Sequence, residues 1–258
     1  MRQTFTPFEI NFYRDNGFLA VPDFLSRNEL ERWRPAVQHA VDTRVAGESP
    51  RGGDYDAKVF TQCLRLADEF PAVRELVYDR VLAQMAGTLS GVSGLRCWHD
   101  QALVKSPWAP QTSWHLDDPF WSFDHAQAIT VWVALDDATY ANGCLWYLPG
   151  THRQARYDHT PITSDIGGLF KYYPEWATIS PVAAPVPAGG AVFHNGLVAH
   201  GAGCNLTGAH RRAMTMAWMP DGAVFNGKRN IMPDRLFNTM KLGQVLNDPE
   251  FNPLLWSA

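Results

Sequence analysis

Long hydrophobic runs are missing from this sequence. Nowhere do about 18 apolar residues follow one another, so no membrane-spanning helix is expected. The opening stretch, MRQTFTPFEINFYRDNGF, interleaves acids and amides with its apolar residues and lacks the continuous core of a secretory signal. Cysteine is scarce. Cys63, Cys97, Cys144 and Cys204 stand singly with no CxxC spacing, which argues against a zinc knuckle or a disulfide framework and for reduced, packed thiols. An excess of positive charge is absent as well: 22 Lys+Arg against 26 Asp+Glu leave a formal charge of −4. A dedicated nucleic-acid binder needs a basic face to displace counterions, and none is signalled here. A cytoplasmic protein without nucleic-acid or membrane partners, acting on a small molecule, is the expectation.

What the chain has is size and aromatic weight. Its 258 residues are 46% hydrophobic and 19% charged, the balance of an ordinary globular protein, and include 10 Trp, 8 Tyr and 14 Phe. A chain of this length hides roughly three quarters of its unfolded surface, enough to shelter a dry reaction site. No repeat, low-complexity tract or linker divides it, so 1–258 reads as one domain.

The first third reads as helical. Thr6-Pro7-Phe8-Glu9 supplies an N-cap, a first-turn proline and a capping-box glutamate, and Gly17 should end that helix. Phe18 to Pro22 follows as a short strand. Ser26-Arg27-Asn28-Glu29 repeats the capping box before Leu30, Trp33 and Val37, with Pro35 expected to kink the helix. Residues 47–56 read as a loop, and roughly 71–88 as one amphipathic helix through Val73, Leu76, Val77, Val81 and Met85. From about residue 94 the pattern turns to short β-rich runs (95–104, 128–135, 144–148, 191–193 and 212–218) separated by Asn142-Gly143, Pro149-Gly150 and Gly201-Ala202-Gly203. Helices first and strands afterwards imply an α+β fold. Its core is a double-stranded β-helix, or jelly roll, over 94–220, with helices of the mostly helical 1–93 portion packed on one side and a C-terminal extension over 221–258.

The sharpest local signal is Trp114-His115-Leu116-Asp117-Asp118. On a strand, residues two apart share a face, so His115 and Asp117 would present an imidazole and a carboxylate together. A lone HxD is common by chance and needs a third ligand. His200 lies at the end of the apolar run after Phe193-His194, just before a glycine turn, and Arg211 follows eleven residues on. Two imidazoles and one carboxylate on iron(II) leave three neighbouring positions open, the arrangement of non-haem oxygenases, and an arginine nearby can clamp a carboxylate through two charge-assisted hydrogen bonds.

WHLDD at 114–118, ANGCLWYLPGTHR at 141–153, HGAGCN at 200–205 with RRA at 211–213, and NGFLAVPDFLSRNEL at 16–30 together resemble the phytanoyl-CoA dioxygenase family of iron(II)- and 2-oxoglutarate-dependent oxygenases. The likeness runs from about residue 7 to 219. It implies that His115, Asp117 and His200 hold iron(II) and that Arg211 binds the far carboxylate of 2-oxoglutarate, with dioxygen as the second cosubstrate. It also implies, through a lysine before HxD and a tryptophan on the following strand, that Lys105 and Trp132 contact the cosubstrate. The implied reaction hydroxylates an unactivated C–H bond of a small hydrophobic metabolite and releases succinate and carbon dioxide. Desaturation, epoxidation and cyclisation use the same chemistry, and a metal-binding jelly roll without oxygenase activity is the other class. Relatives often carry a serine two residues after the distal histidine; here it is Ala202.

Each of these residues has a plainer reading. Trp132 reads equally as core, and Lys105 as a surface lysine. Arg212 rivals Arg211, but adjacent strand residues face opposite ways and the family register selects Arg211. His194 could rival His200 and is read as a turn histidine; His152 braces a loop, and His125, His159 and His210 are read as exposed. Asp118 should face away from the metal, solvated or supporting its neighbour. Pro119, Phe120, Trp121, Phe123 and the segment Lys171-Tyr172-Tyr173 with Trp176 could line an aromatic substrate mouth, and no basic cluster marks a coenzyme A phosphate site.

Overall fold

The computed structural model describes residues 1–47 and 55–258. Most of the 47–56 segment therefore lies outside the described residues; of its ends, Gly47 closes a helix and Asp56 opens one. The chain runs α1 (Pro7–Asn16), β1 (Phe18–Val21), α2 (Arg27–Gly47), α3 (Asp56–Val59), β2 (Thr61–Leu64), α4 (Leu66–Glu69), α5 (Pro71–Val77) and α6 (Arg80–Ser90). There follow β3 (Gly94–Lys105), β4 (Thr112–His115), β5 (Ile129–Ala134), β6 (Leu145–Tyr147), β7 (Val182–Ala184), β8 (Ala191–Asn195), β9 (His200–Ala202), β10 (Arg211–Pro220), α7 (Asp234–Phe237) and β11 (Leu254–Ser257).

The helix starts follow the capping chemistry. Thr6 and Glu9 form the reciprocal capping box of α1, and Gly17 ends it at φ 83°, donating its N–H to the Tyr13 carbonyl. Ser26 and Glu29 repeat the box at α2, which continues past Pro35 to Gly47. The single helix expected over 71–88 is two. Asp79 caps a fresh start by accepting from the Leu82 N–H, so the chain turns between Val77 and Arg80 and leaves Val81 exposed.

Two antiparallel sheets make the double-stranded β-helix. The larger has the order β1-β8-β5-β10-β3-β11, with β2 also paired to β3; the smaller is β4-β9-β6-β7. The large sheet thus takes β1 and β2 from the N-terminal portion and β11 from the C-terminal one. Strand β5 shows why it reads as one apolar run: it is buried at every position. Ile129, Val131 and Val133 pack with Trp33, Val37, Leu76 and Leu89 beneath the helices, whereas Trp132 and Ala134 pack inward with Leu145 and Tyr147 of the small sheet. Burying each such side chain contributes roughly 1.5–3 kcal/mol, so the helical layer fixes the large sheet and leaves its inner face for the site. None of the described helices is long and apolar enough to cross a membrane.

Candidate metal and cosubstrate site

Between the sheets lies a cavity of about 310 Å³. The inner row of the large sheet faces it: His99, Gln101 and Leu103 from β3, Thr130 and Trp132 from β5, His194 from β8, and Arg211, Thr215 and Ala217 from β10. The cross-strand register explains the grouping, since Arg211 pairs with Lys105, Thr215 with both Gln101 and Trp132, and Thr130 with His194.

His115 and His200 face one another across the pairing of β4 with β9, their ring centroids 4.2 Å apart. Each imidazole is oriented by its backbone. Nδ1 of His115 lies 2.8 Å from the Ser113 carbonyl oxygen, and Nδ1 of His200 lies 3.0 Å from that of Val198. A carbonyl can only accept, so both Nδ1 atoms carry the proton and both Nε2 atoms present lone pairs. Those atoms converge on one carboxylate oxygen: Asp117 Oδ1 is 3.8 Å from Nε2 of His115 and 3.7 Å from Nε2 of His200. One donor atom from each of the three lies within 4.8 Å of the others. Two neutral nitrogens and one carboxylate oxygen match the donor set of a non-haem iron(II) centre.

Asp117 reaches this position by a route that strand periodicity does not describe. Strand β4 ends at His115, and Asp117 has helical backbone angles (φ −77°, ψ −48°) at the head of a 3-10 turn over Asp118–Phe120. The N–H groups of Asp117 and Asp118 both donate to the Gly196 carbonyl, at 2.9 Å each, which pins the turn to the loop joining β8 and β9. Burial alone would raise the Asp117 carboxyl, but His200, the hydrogen bond from His194, and His115 together hold it far below the ordinary range. Burial lowers His200 to about 4, so at neutral pH a carboxylate stands beside a neutral imidazole.

Arg211 enters the cavity 3% exposed, its guanidinium carbon 5.1 Å from the Trp132 ring centroid. Its Nε and Nη1 are buried with no hydrogen-bond partner among the described residues. Burial lowers its pKa to about 10, which still leaves it charged at neutral pH. A buried cation with unmatched donors calls for an anion with two acceptors. Lys105 is no surface lysine: it is wholly buried, its Nζ donates to the Pro110 carbonyl at 2.6 Å, and it does not line the cavity. Burial, with Arg211 adding to it, lowers Lys105 to about 7.

Several expectations are corrected. His194 is not a turn histidine: it lies on β8, 2% exposed, with Nε2 3.1 Å from Asp117 Oδ2. Asp118 is not solvated; it is fully buried, burial raises its carboxyl well above the usual range, and Oδ2 accepts from the His125 N–H. His125 is half-buried, while His159 and His210 are exposed. His152 does brace a loop, with Nε2 3.1 Å from the Arg14 carbonyl oxygen. Of the proposed aromatic mouth only Phe120 and Trp121 line the cavity. Phe123 packs against Trp98, and Tyr173 stacks on Trp176 in a separate cluster. Residues that sequence reading missed include Thr130, which joins His194 on Asp117 Oδ2, and Tyr147, which bonds to His194; their only signal was the inward phase of β5 and β6.

The phytanoyl-CoA dioxygenase (PhyH) family pattern matches residues 13–213. A probable phytanoyl-CoA dioxygenase of Caenorhabditis elegans is 25% identical over 241 residues, 81% of this chain and 74% of that protein. Among solved structures, the non-heme alpha-ketoglutarate-dependent carbocyclase SnoK from nogalamycin biosynthesis is 27% identical with a TM-score of 0.81, covering 97% of this chain and 96% of its own. The epimerase SnoN in complex with Fe3+, alpha-ketoglutarate and nogalamycin RO is 26% identical with a TM-score of 0.79, covering 96% of this chain and 97% of its own. With the family pattern spanning most of its length, and with this fold and this donor set, the chain belongs to the phytanoyl-CoA dioxygenase family of 2-oxoglutarate-dependent oxygenases.

Proposed function

We propose that the protein is an iron(II)- and 2-oxoglutarate-dependent dioxygenase that hydroxylates an unactivated C–H bond of a small, uncharged and largely apolar metabolite. The observation that carries this reading is the convergence of His115, Asp117 and His200 on one point, with the unmatched guanidinium of Arg211 lining the same cavity. His115, Asp117 and His200 hold the iron, and Arg211 fixes the far carboxylate of 2-oxoglutarate. When bound, iron, 2-oxoglutarate and dioxygen together supply the oxidation: one oxygen atom enters the substrate C–H bond and the other enters succinate, with loss of carbon dioxide.

The protein's own work is placement. Trp132 walls the cosubstrate end beneath Arg211, and Lys105, the cross-strand partner of Arg211, packs behind it without lining the cavity. Leu145 and Ala202 close the small-sheet side. Ala202 donates no side-chain hydrogen bond, which concentrates recognition of the cosubstrate on Arg211.

The rest of the lining sets the substrate class. Phe60, Phe120, Trp121 and Ile231 give it apolar area, while Gln62, Gln101 and His99 add neutral polar groups; burial lowers His99 to about 4, so it is uncharged near pH 7. Among the described residues that line the cavity, Arg211 is the one arginine or lysine. With that cation given to the cosubstrate, a phosphate or carboxylate on the substrate would find no counter-charge, which disfavours coenzyme A thioesters. The test is substrate-stimulated carbon dioxide release from 2-oxoglutarate across a panel of neutral and anionic metabolites. Stimulation by neutral aromatic or alicyclic compounds is expected. No succinate with iron, ascorbate and any compound would refute the oxygenase, and preferential turnover of thioesters would refute the substrate class.

A further inference from the structure

The two oxygens of Asp117 have different surroundings. Oδ1 faces the two imidazoles, whereas Oδ2 accepts two hydrogen bonds from the large sheet, one from Thr130 Oγ1 at 2.9 Å and one from His194 Nε2 at 3.1 Å. Thr130 and His194 are direct cross-strand partners on β5 and β8, so they arrive side by side. The proton on His194 is placed from the other sheet. Tyr147 of β6 lies with its hydroxyl 3.0 Å from His194 Nδ1, and burial keeps that phenol protonated. The phenol therefore donates to Nδ1, and Nε2 keeps its hydrogen for Asp117. Tyr147 is held in turn, stacked on Phe18 with centroids 4.4 Å apart, and its ring lies against His200.

Building on the iron site proposed above, we propose that Tyr147, His194 and Thr130 form a positioning relay that ties up Asp117 Oδ2 and leaves Oδ1 as the metal-binding oxygen. A carboxylate free to turn could offer both oxygens to the ion and occupy a position that the cosubstrate or dioxygen requires. Two donors on Oδ2 oppose that rotation. His194 acts through Asp117 and is not itself a ligand: the three-residue donor cluster does not include it, and its Nε2 points at the carboxylate. The relay spans both sheets and so couples their spacing to the carboxylate's orientation.

The test is calorimetric titration of the full-length protein with Co(II) alone, with no cosubstrate. Wild type should bind one equivalent, and His115→Ala should lose it. His194→Phe, which keeps an aromatic ring but removes both nitrogens, should weaken Co(II) binding about 10- to 100-fold, the usual effect of removing a partner of a metal ligand. His194→Gln, with an amide N–H able to reach Oδ2, should recover most of that loss. Thr130→Val and Tyr147→Phe should each weaken binding by a smaller factor while leaving the melting temperature of the metal-free protein within a few degrees. The result that overturns the relay alone is normal wild-type binding with His194→Phe unchanged, or with His194→Gln as weak as His194→Phe. Loss in His194→Phe as complete as in His115→Ala would make His194 a ligand and also overturn it. If His194→Phe does not fold, Thr130→Val and Tyr147→Phe decide, and unchanged affinity in both refutes the relay. No Co(II) binding by folded wild type would remove the metal site and the relay with it.

Discussion

Arg211 and Arg212 leave β10 on opposite faces and meet opposite electrostatic conditions. Arg212 grips Asp136 through two contacts of 2.7 Å, Nε to Oδ2 and Nη2 to Oδ1, on the helix-facing side. Arg211 points between the sheets, where two of its nitrogens are buried without an acceptor among the described residues. One arginine is satisfied within the chain; the other is the one proposed above to bind the cosubstrate.

Replacing Arg211 should therefore have two effects of opposite sign. Arg211→Met removes a desolvated charge with unmatched donors and should raise the melting temperature of the cosubstrate-free protein by about 2–8 °C, equivalent to roughly 1–2 kcal/mol. The same change should raise the KM for 2-oxoglutarate about 10²-fold or more, because two charge-assisted hydrogen bonds are lost. Lys105→Met should raise that KM by no more than about tenfold, since its Nζ is engaged by Pro110. Succinate release at varied 2-oxoglutarate and a thermal melt read both, and a destabilised Arg211→Met with unchanged KM would refute the role given to Arg211.

Asp117→Ala should end turnover while leaving the chain folded. In the proposed site this carboxylate is the anionic donor to the metal, and a neutral histidine cannot replace it. Substrate-dependent succinate release should fall to background, and circular dichroism should retain the wild-type helix and strand signal. Normal hydroxylation kinetics in this variant would refute the ligand assignment.

Much of this site was legible in the sequence, though partly for the wrong backbone reason. His115 and Asp117 meet His200 as the HxD spacing suggested, yet the strand stops at His115 and a helical turn carries the carboxylate into place. Local pattern could not show that turn, because it is fixed by Gly196 some eighty positions away. The inner faces of β5 and β10 followed from strand alternation, which also separates Arg211 from Arg212. His194 was misjudged because an isolated histidine in an apolar run carries no sign of its partners; Thr130 and Tyr147 become its neighbours only when β5, β8 and β6 are assembled. Strands β2 and β11 are short and pair with a strand far off in sequence, so their tertiary partner, not their composition, makes them strands.

Gly143 should be intolerant of a side chain. It adopts φ 92°, and a Cβ there would lie 2.6 Å from the Gly203 carbonyl oxygen and 2.9 Å from Lys105 Cδ. The turn thus packs directly on Lys105, the cross-strand partner of Arg211. Gly143→Ala should lower stability by about 2 kcal/mol, a melting-temperature drop of about 4–8 °C, and should raise the KM for 2-oxoglutarate as Lys105 is displaced. A variant with wild-type stability would show that the turn relaxes freely.

His99 supplies a test by pH. Burial, the largest influence, lowers its pKa to about 4, against about 6.5 in an unfolded chain. The unfolded state therefore takes up the proton first as pH falls, so the stabilising contribution of neutral His99 is intact above about pH 6.5 and is lost progressively toward pH 4. Asp100 works in the other direction: burial raises it to about 7, so its effect favours the fold at lower pH. Comparing wild type with His99→Leu cancels that term, because Asp100 is present in both. Urea unfolding of the two metal-free proteins at pH 7.5 and 4.5 should show wild type losing about 2 kcal/mol more than the variant on acidification. Equal losses would mean that His99 is protonated in the folded state at pH 4.5, and it would then meet a substrate as a cation in acid rather than as the neutral group that the substrate wall requires.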